Sequence, residues 1–583
     1  MKPSSAVPPT PSASASRAQP SGPVPRWPRL WGPRTGFLLA FVALLMAYRM
    51  WAVGHTGISL FFDEAQYWDW SKHLAWGYFS KPPLIAGLIW LSTALFGEGV
   101  LGVKLLCMLL YPATALAMVG LARALWPTSG GVRTGIVAAA LFMSIPVVGL
   151  MGLFASTDAP LILCWTLASW ALWRAQVTDR LVYWVLTGLA CGVGLMGKYT
   201  MAAFALTAIW TLWGVPGPRR GVLRLGPWVT VLLAAALLAP NLIWNAQNAF
   251  PTLAHTAELT TQSNRQGGLF PAVQFLLGQV LMLGPVPVLA AIWLAWQGRG
   301  TQVATQGTPV STSQWTHSTQ QAGGLESGTL GRPVARQSAY HLASVSSFRF
   351  LWAMCLPLQG VAVVQALYAD AHVNWAAPSM VGFTMLIAST LSAPLLSLSA
   401  PRPNRWLLAA VLSNLVLTTA VLHLREIAGP TMPSRLDVLV RMRGWQEAFD
   451  QIAVAMKAPT VQGLPLLTDQ RLLITEAAYH LRHLNVATYA WNPKGQRNDH
   501  YQMTRSLPNK VGQDVLLLTA NPKPDEITQR FAIVRELTVV KQPVGPDRAI
   551  TLHLFFLRGF LGYDQETYLR QSGADQPPAR DEL

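Results

Sequence analysis

The sequence predicts an all-α polytopic membrane domain of about 11–13 transmembrane helices, followed by a small C-terminal α/β soluble domain. Three observations carry this. Of the 583 residues, 52% are hydrophobic and only 12% are charged, where a soluble globular chain carries about 25% charged residues; mean hydropathy is +0.33. Apolar runs of roughly 17–25 residues, the length of a bilayer-spanning helix, recur along the chain. Charge is also divided unevenly. Residues 1–424 hold 24 Lys+Arg against 9 Asp+Glu, while residues 425–583 hold 19 against 17.

Residues 1–35 are rich in Pro, Ser and Ala, carry five basic residues and no acid, and read as a disordered basic cytoplasmic tail. No small-residue cleavage site follows the first apolar run, so that run reads as an uncleaved first helix rather than a signal peptide. The membrane domain is expected over 36–424. Its candidate spans are 36–52, 100–122, 133–152, 159–174, 181–197, 200–215, 226–243, 271–296, 350–369, 376–398 and 405–424. The shorter run 83–96 either lies along the interface or completes a span. Residues 300–347, rich in Gln, Ser, Thr and Gly, read as a disordered cytoplasmic insert. From 425 the pattern changes. "MRGWQEAFDQIAVAMK" reads as an amphipathic helix, and "LPLLTD", "VATYAW", "DVLLLTA" and "ITLHLFFL" read as short strands, giving an α/β domain over 425–583.

With the N-terminus placed in the cytoplasm and the spans alternated, 18 of the 24 basic residues before 425 fall on the cytoplasmic side and seven of the nine acids on the other. Orientation follows Lys and Arg in the loops. A multi-pass protein of the bacterial inner membrane with a periplasmic C-terminal domain is therefore expected. The isoelectric point near 10.0 reflects these loop charges and needs no nucleic-acid partner. The four cysteines, Cys107, Cys164, Cys191 and Cys355, all lie in apolar runs with no CxxC pair. Neither a disulfide framework nor a thiolate zinc site is expected.

The same alternation gathers the polar motifs on one face. "FFDEAQYW" (61–68), "SKPP" (80–83), "ASTDAP" (155–160), "GKYT" (197–200), "WNAQNAFPTLAH" (244–255) and "DAHVNWAAP" (370–378) all fall at the non-cytoplasmic ends of helices. A transporter would concentrate polar groups at the midplane of broken helices; here the helix centres are almost clean of charge. Asp63 and Glu64 are adjacent, so on a helix they point about 100° apart and do different jobs. They are either first-turn acids of a helix or, beside lipid, carboxylates suited to general base work. Lys81, before Pro82 and Pro83, is either a snorkelling anchor or a phosphate ligand at the start of a proline-initiated helix. Asp158 suits the N-cap of the next helix and also faces the mouth. Lys198 is an end-of-helix lysine or a second cation of the site. His372, Asn374 and Trp375 form either an aromatic-belt anchor or a pocket lining, and Tyr67, Tyr78 and His255 are further lining candidates.

In "DEAQYW", "GYFSKPPL", "STDAPL", "GKYT" and "HVNWAAP" the chain resembles membrane glycosyltransferases of the C superfold (GT-C) that use polyprenyl-phosphate sugars. The nearest branch is that of the lipid A aminoarabinose and rhizobial galacturonosyl transferases, with protein O-mannosyltransferases more distant. The resemblance covers about residues 35–400. It implies an inverting glycosyltransferase acting on lipid A, another glycolipid or a protein, with membrane lipid around it. Asp63 would be the catalytic carboxylate, supported by Glu64 and Asp158. Lys81, with Lys198 and Arg265, would hold the donor phosphate. No cofactor is certain, but some members bind a divalent cation, for which Glu64 and Asp158 are the possible ligands. Two other functions compete. A non-enzymatic lipid flippase would require charged residues within the spans, where only Arg49 and Lys104, near span ends, are available. A structural protein recruiting partners through its C-terminal domain would leave the one-sided convergence of motifs unexplained.

Overall fold

A computed structural model describes residues 33–127, 129–214, 224–261, 267–305, 332–369, 371–392 and 405–563. The N-terminal tail lies outside the described residues. Helices α1 (Pro33–His55), α2 (Phe62–Lys72), α3 (Leu84–Phe96) and α4 (Val100–Leu125) open the chain, with α5 (Ser129–Ser144), α6 (Pro146–Met151), α7 (Asp158–Thr178) and α8 (Leu181–Gly197) after them. Then follow α9 (Phe204–Gly214), α10 (Leu225–Gln247), α11 (Pro251–Thr261), α12 (Leu269–Leu283), α13 (Pro285–Thr305), α14 (Arg332–Tyr368), α15 (Ser379–Ser392) and α16 (Arg405–Leu422). By length and composition five described helices can cross a bilayer (α1, α4, α10, the Ser346–Tyr368 part of α14, and α16), with shorter apolar helices at α3, α8 and α15 among others. Large apolar side chains such as Trp213, Leu232 and Leu289 are exposed around the bundle, as a lipid-facing surface requires. Inside, α4 packs on α5 and α7, and α8 on α7 and α10.

Two expectations are corrected. The span expected at 271–296 is a bent pair, α12 and α13, meeting at 92°. The break is at Gly284-Pro285. Gly284 has φ +88°, and a Cβ there would lie 1.9 Å from Asn414 Oδ1, while Pro285 supplies no N–H and starts the next helix. The insert expected over 300–347 is helical at both ends, through Thr305 and again from Arg332; residues 306–331 lie outside the described residues. Arg49 and Lys104, toward the ends of α1 and α4 as expected, are both buried.

After the short α17 (Leu424–Ala428) the C-terminal domain builds helices α18 (Trp445–Met456) and α19 (Arg471–His480) on a five-stranded sheet. Its strands are β1 (Leu466–Thr468), β2 (Thr488–Ala490), β3 (Val515–Thr519), β4 (Phe531–Gly545) and β5 (Arg548–Phe560), in the order β2-β1-β3-β5-β4. The first three are parallel; β5 runs antiparallel to β3 and β4. All four strands read from the sequence form. β4 escaped notice because Arg535, Glu536, Lys541 and Pro543 interrupt its apolar alternation. It is an edge strand, where such residues are tolerated.

Candidate active site

The site begins where three helix ends meet. A Cβ on Gly197, at the end of α8, would touch Leu84 at 3.4 Å and Pro160 at 3.7 Å, so α8 ends against the starts of α3 and α7. This brings Lys81, Asp158 and Lys198 to one mouth. Lys198 leaves the helix in an extended conformation (φ −159°, ψ 132°) and its Nζ donates to Asp158 Oδ1 at 2.7 Å. Asn374 Nδ2 donates to the other oxygen, Oδ2, at 3.1 Å. Asp158 is the first residue of α7 and not its N-cap, a place held by Thr157.

The loop carrying Lys81 is tied to α10 and α11. Asn241 Nδ2 donates to the Trp76 carbonyl at 2.8 Å, and Thr252 Oγ1 donates to the Tyr78 carbonyl at 2.7 Å. Gly77 permits this approach, since a Cβ there would lie 2.3 Å from the Trp244 ring. Pro83 is the N-cap of α3, which starts at Leu84, just after the prolines at which the sequence suggested it would begin. Lys81 has no carboxylate at ion-pair distance among the described residues. Burial, then the Lys198 ammonium, lower its pKa to about 8 against the opposing pull of Asp63 and Asp158. Lys81 and Lys198 line a cavity of about 340 Å³ whose far wall is the apolar face of α14, with Leu358, Val361 and Ala362, and whose rim carries Trp375.

The adjacent acids divide as their helical spacing requires. Glu64 is 2% exposed. Its Oε2 accepts from Lys104 Nζ at 2.5 Å and from the Phe61 N–H at 2.8 Å, and its Oε1 accepts from the Ala155 N–H at 2.6 Å. Glu64 thus turns into the bundle and fastens α2 to α4 and to the loop before Asp158, rather than facing the mouth as expected. Asp63 has a side chain 37% exposed and accepts from Arg471 Nη2 at 2.6 Å. Arg471 is the first residue of α19, in the C-terminal domain. Its Nε also donates to Gln66 at 2.9 Å, and its guanidinium lies 5.3 Å from the Phe62 ring centre. One helical turn further along α2, Asp69 accepts from Arg505 at 2.9 Å, and Trp68 meets Tyr479 edge to face. The i, i+3 spacing of 63, 66 and 69 places one stripe of α2 against the soluble domain.

The lining residues separate in the same way. Tyr67 is buried, and burial followed by the Asp63 charge raises its pKa well above the ordinary value. Tyr78 stacks on Trp70 with centroids 4.4 Å apart, and its hydroxyl donates to the Trp70 carbonyl at 3.1 Å. It is a latch for the loop, not a wall of the cavity. His255 contacts Phe79 and faces a second cleft with Glu258 and Arg497. Burial, then the Lys81 charge, lower its pKa. His372 is exposed beside Trp375. Arg265 lies outside the described residues, as does Asp370.

A divalent cation on Glu64 and Asp158 does not fit this arrangement. Each carboxylate already accepts from a lysine ammonium, and the charge of those lysines would oppose a metal ion. Among the described residues no cluster of three His, Cys, Asp or Glu could hold one. Arg471, Gln66 and Arg497 were absent from the sequence-derived site. Only the fold brings 471 and 497 beside residues 63 and 255.

This architecture, with its polar mouth at helix ends, has the fold of the polytopic membrane glycosyltransferases of the C superfold. Residues 80–244, which include Lys81, Asp158 and Lys198, match the dolichyl-phosphate-mannose-protein mannosyltransferase family. The chain is 26% identical over 494 residues to lipid A galacturonosyltransferase RgtD of Rhizobium johnstonii, covering 84% of this chain and 91% of that one. It is 32% identical over 210 residues to the undecaprenyl phosphate-alpha-4-amino-4-deoxy-L-arabinose arabinosyl transferase of Pseudomonas savastanoi pv. phaseolicola, covering 35% of this chain and 39% of that one. Among solved structures, apo ArnT from Cupriavidus metallidurans superposes with a TM-score of 0.55 at 15% identity, covering 90% of this chain and 98% of that one. The same protein bound to undecaprenyl phosphate gives 0.53.

Proposed function

We propose that this protein transfers a sugar, with inversion, from a polyprenyl-phosphate donor to lipid A or a related envelope glycolipid at the periplasmic face of the bacterial inner membrane. The observation that carries this is the cavity shared by Lys81, Lys198 and the apolar face of α14. Two ammonium groups beside an apolar wall suit a phosphate that enters attached to a hydrocarbon chain. Asp63 and Asp158 lie close enough to act on the Lys81 charge.

In the reaction the acceptor oxygen bonds to the anomeric carbon from the face opposite the phosphate. The carbon–oxygen bond to phosphate breaks, and its electron pair leaves on the polyprenyl phosphate, where Lys81 and Lys198 stabilise the added charge. A hydroxyl acceptor gives its proton to Asp63; an acceptor that is itself an ionised phosphate needs only orientation. Glu64, closed off by Lys104, holds α2 in place. The relatives' names support the donor and acceptor classes: one specifies undecaprenyl phosphate and another lipid A. The match to RgtD runs over most of the chain while that to the mannosyltransferase family covers 80–244, which favours a lipid over a protein acceptor.

The test is mass spectrometry of lipid A and envelope glycans with and without the gene, paired with transfer by the purified protein from a synthetic undecaprenyl-phosphate sugar. Unchanged lipid A together with glycosylated envelope protein would move the acceptor to protein. Reporter fusions after residue 425 that are active only in the cytoplasm would overturn the orientation.

A further inference from the structure

Arg49 is the charged side chain that the transfer site leaves without a task. It sits within α1, 2% exposed, about two turns from the helix end that leads to the C-terminal domain. An ionisable residue inside a membrane helix is costly and is retained for a function. One arm is accounted for, since Nη2 donates to the Met143 carbonyl in the last turn of α5 at 2.7 Å. The other, Nη1, has no hydrogen-bond partner among the described residues, although an unmet charged donor in an apolar interior is strongly disfavoured.

Arg49 lines a cavity of about 340 Å³ between α1, α5 and α16, separate from the one holding Lys81. The cavity has a polarity gradient that two helices share. On α1 it runs from Phe41, Leu44 and Leu45 to Tyr48 and Arg49; on α16 it runs from Leu415 to Thr418 and Thr419. On both helices the polar residues lie on the soluble-domain side of the apolar ones named, with Leu422, the last residue of α16, beyond Thr418 and Thr419. That end is fixed by the Ser59 N–H donating to the Met442 carbonyl at 2.7 Å, just beyond α1. The Thr418 hydroxyl also lacks a partner among the described residues.

We infer that this cavity binds an anionic glycerophospholipid of the leaflet on the side of the C-terminal domain, with its phosphodiester on Arg49 Nη1 and an acyl chain along Leu45 and Leu415. The gradient matches the orientation of such a lipid, head outward and chain inward. One free guanidinium arm matches the single negative charge of a phosphodiester. A free polyprenyl phosphate carries close to two charges near neutral pH, having a second pKa of about 6 as phosphate monoesters do, and finds two ammonium groups in the other cavity. The hydroxyls of Tyr48 and Thr419 suit a glycerol headgroup.

The test is binding, read without turnover. The purified full-length protein is equilibrated with mixed micelles containing phosphatidylglycerol, phosphatidylcholine and undecaprenyl phosphate, and retained lipid is counted by native mass spectrometry. The wild type should retain phosphatidylglycerol over phosphatidylcholine. Arg49→Gln should weaken that binding by about tenfold to a hundredfold, the loss expected for one charge-assisted hydrogen bond. Leu415→Trp fills the chain channel while leaving the bond to Met143 in place, so it keeps the test decisive if Arg49→Gln does not fold. The inference is overturned by equal retention of the two phospholipids in the wild type, by undecaprenyl phosphate displacing phosphatidylglycerol through Arg49, or by unchanged retention in folded variants. Failure of the transfer reaction leaves each of these outcomes readable.

Discussion

Arg471 of the soluble domain donates to Asp63 of the membrane domain at 2.6 Å, across 408 residues of sequence. The Asp63 carboxylate therefore takes its orientation from a domain that the family resemblance, confined to about residues 35–400, did not reach. A forked guanidinium can hold Asp63 and Gln66 together, which an ammonium does less well.

Replacing Asp63 by Asn should lower transfer to a hydroxyl acceptor by on the order of 10²–10⁴, the range for loss of a general base. The fold should survive, because a part-exposed ion pair contributes only about 0–1 kcal/mol. Kinetics with purified protein check this, and near wild-type turnover in a folded Asp63→Asn would remove Asp63 as the base. A milder loss would indicate a phosphate acceptor.

Arg471→Ala should reduce kcat by about tenfold, the equivalent of one misplaced contact of about 1.4 kcal/mol, and leave the donor KM unchanged. Arg471→Lys should recover part of the rate. If both kcat and KM change together and the soluble domain becomes protease-sensitive, Arg471 merely docks the domain.

Lys81→Ala should cost about 10²–10³ in rate through the lost contact to the leaving phosphate, with Lys81→Arg intermediate. The sign of the pH effect follows from its pKa, which stands at about 8 rather than 10.5. Below about 8 the amine is charged and meets phosphate; above it the amine is neutral. For the free enzyme kcat/KM should fall as pH rises through about 8, and that limb should be absent in Lys81→Arg, whose guanidinium stays charged. A flat profile up to pH 10 in the wild type would contradict the role.

Lys104→Met should destabilise the protein by about 3–5 kcal/mol, because it strands the buried Glu64 carboxylate. Adding Glu64→Gln should restore part of that loss, since no uncompensated charge remains. Thermal unfolding of the single and double variants in detergent reads the coupling. Additive losses would show that the pair does not act as a unit.

The sequence determined the membrane class, the positions of most helices, the four apolar strands and the gathering of Lys81, Asp158 and Lys198 at one face. These follow from local quantities: run length, alternation, and the parity of crossings that a bilayer imposes on every loop. It also carried the separation of Asp63 from Glu64, because adjacent helical residues must diverge. Tertiary structure decided what each acid faces. Glu64 is closed off by Lys104, which the linear pattern showed only as a stray charge near a span end. Gly284-Pro285 bends a run that its hydropathy presents as continuous, because Gly284 takes φ +88° and lies against Asn414 of α16. Arg471 is one arginine among many until α19 packs on α2. Contacts of this kind depend on how two distant segments are docked, and docking is set by the summed packing of both domains rather than by the residues on either side of the contact.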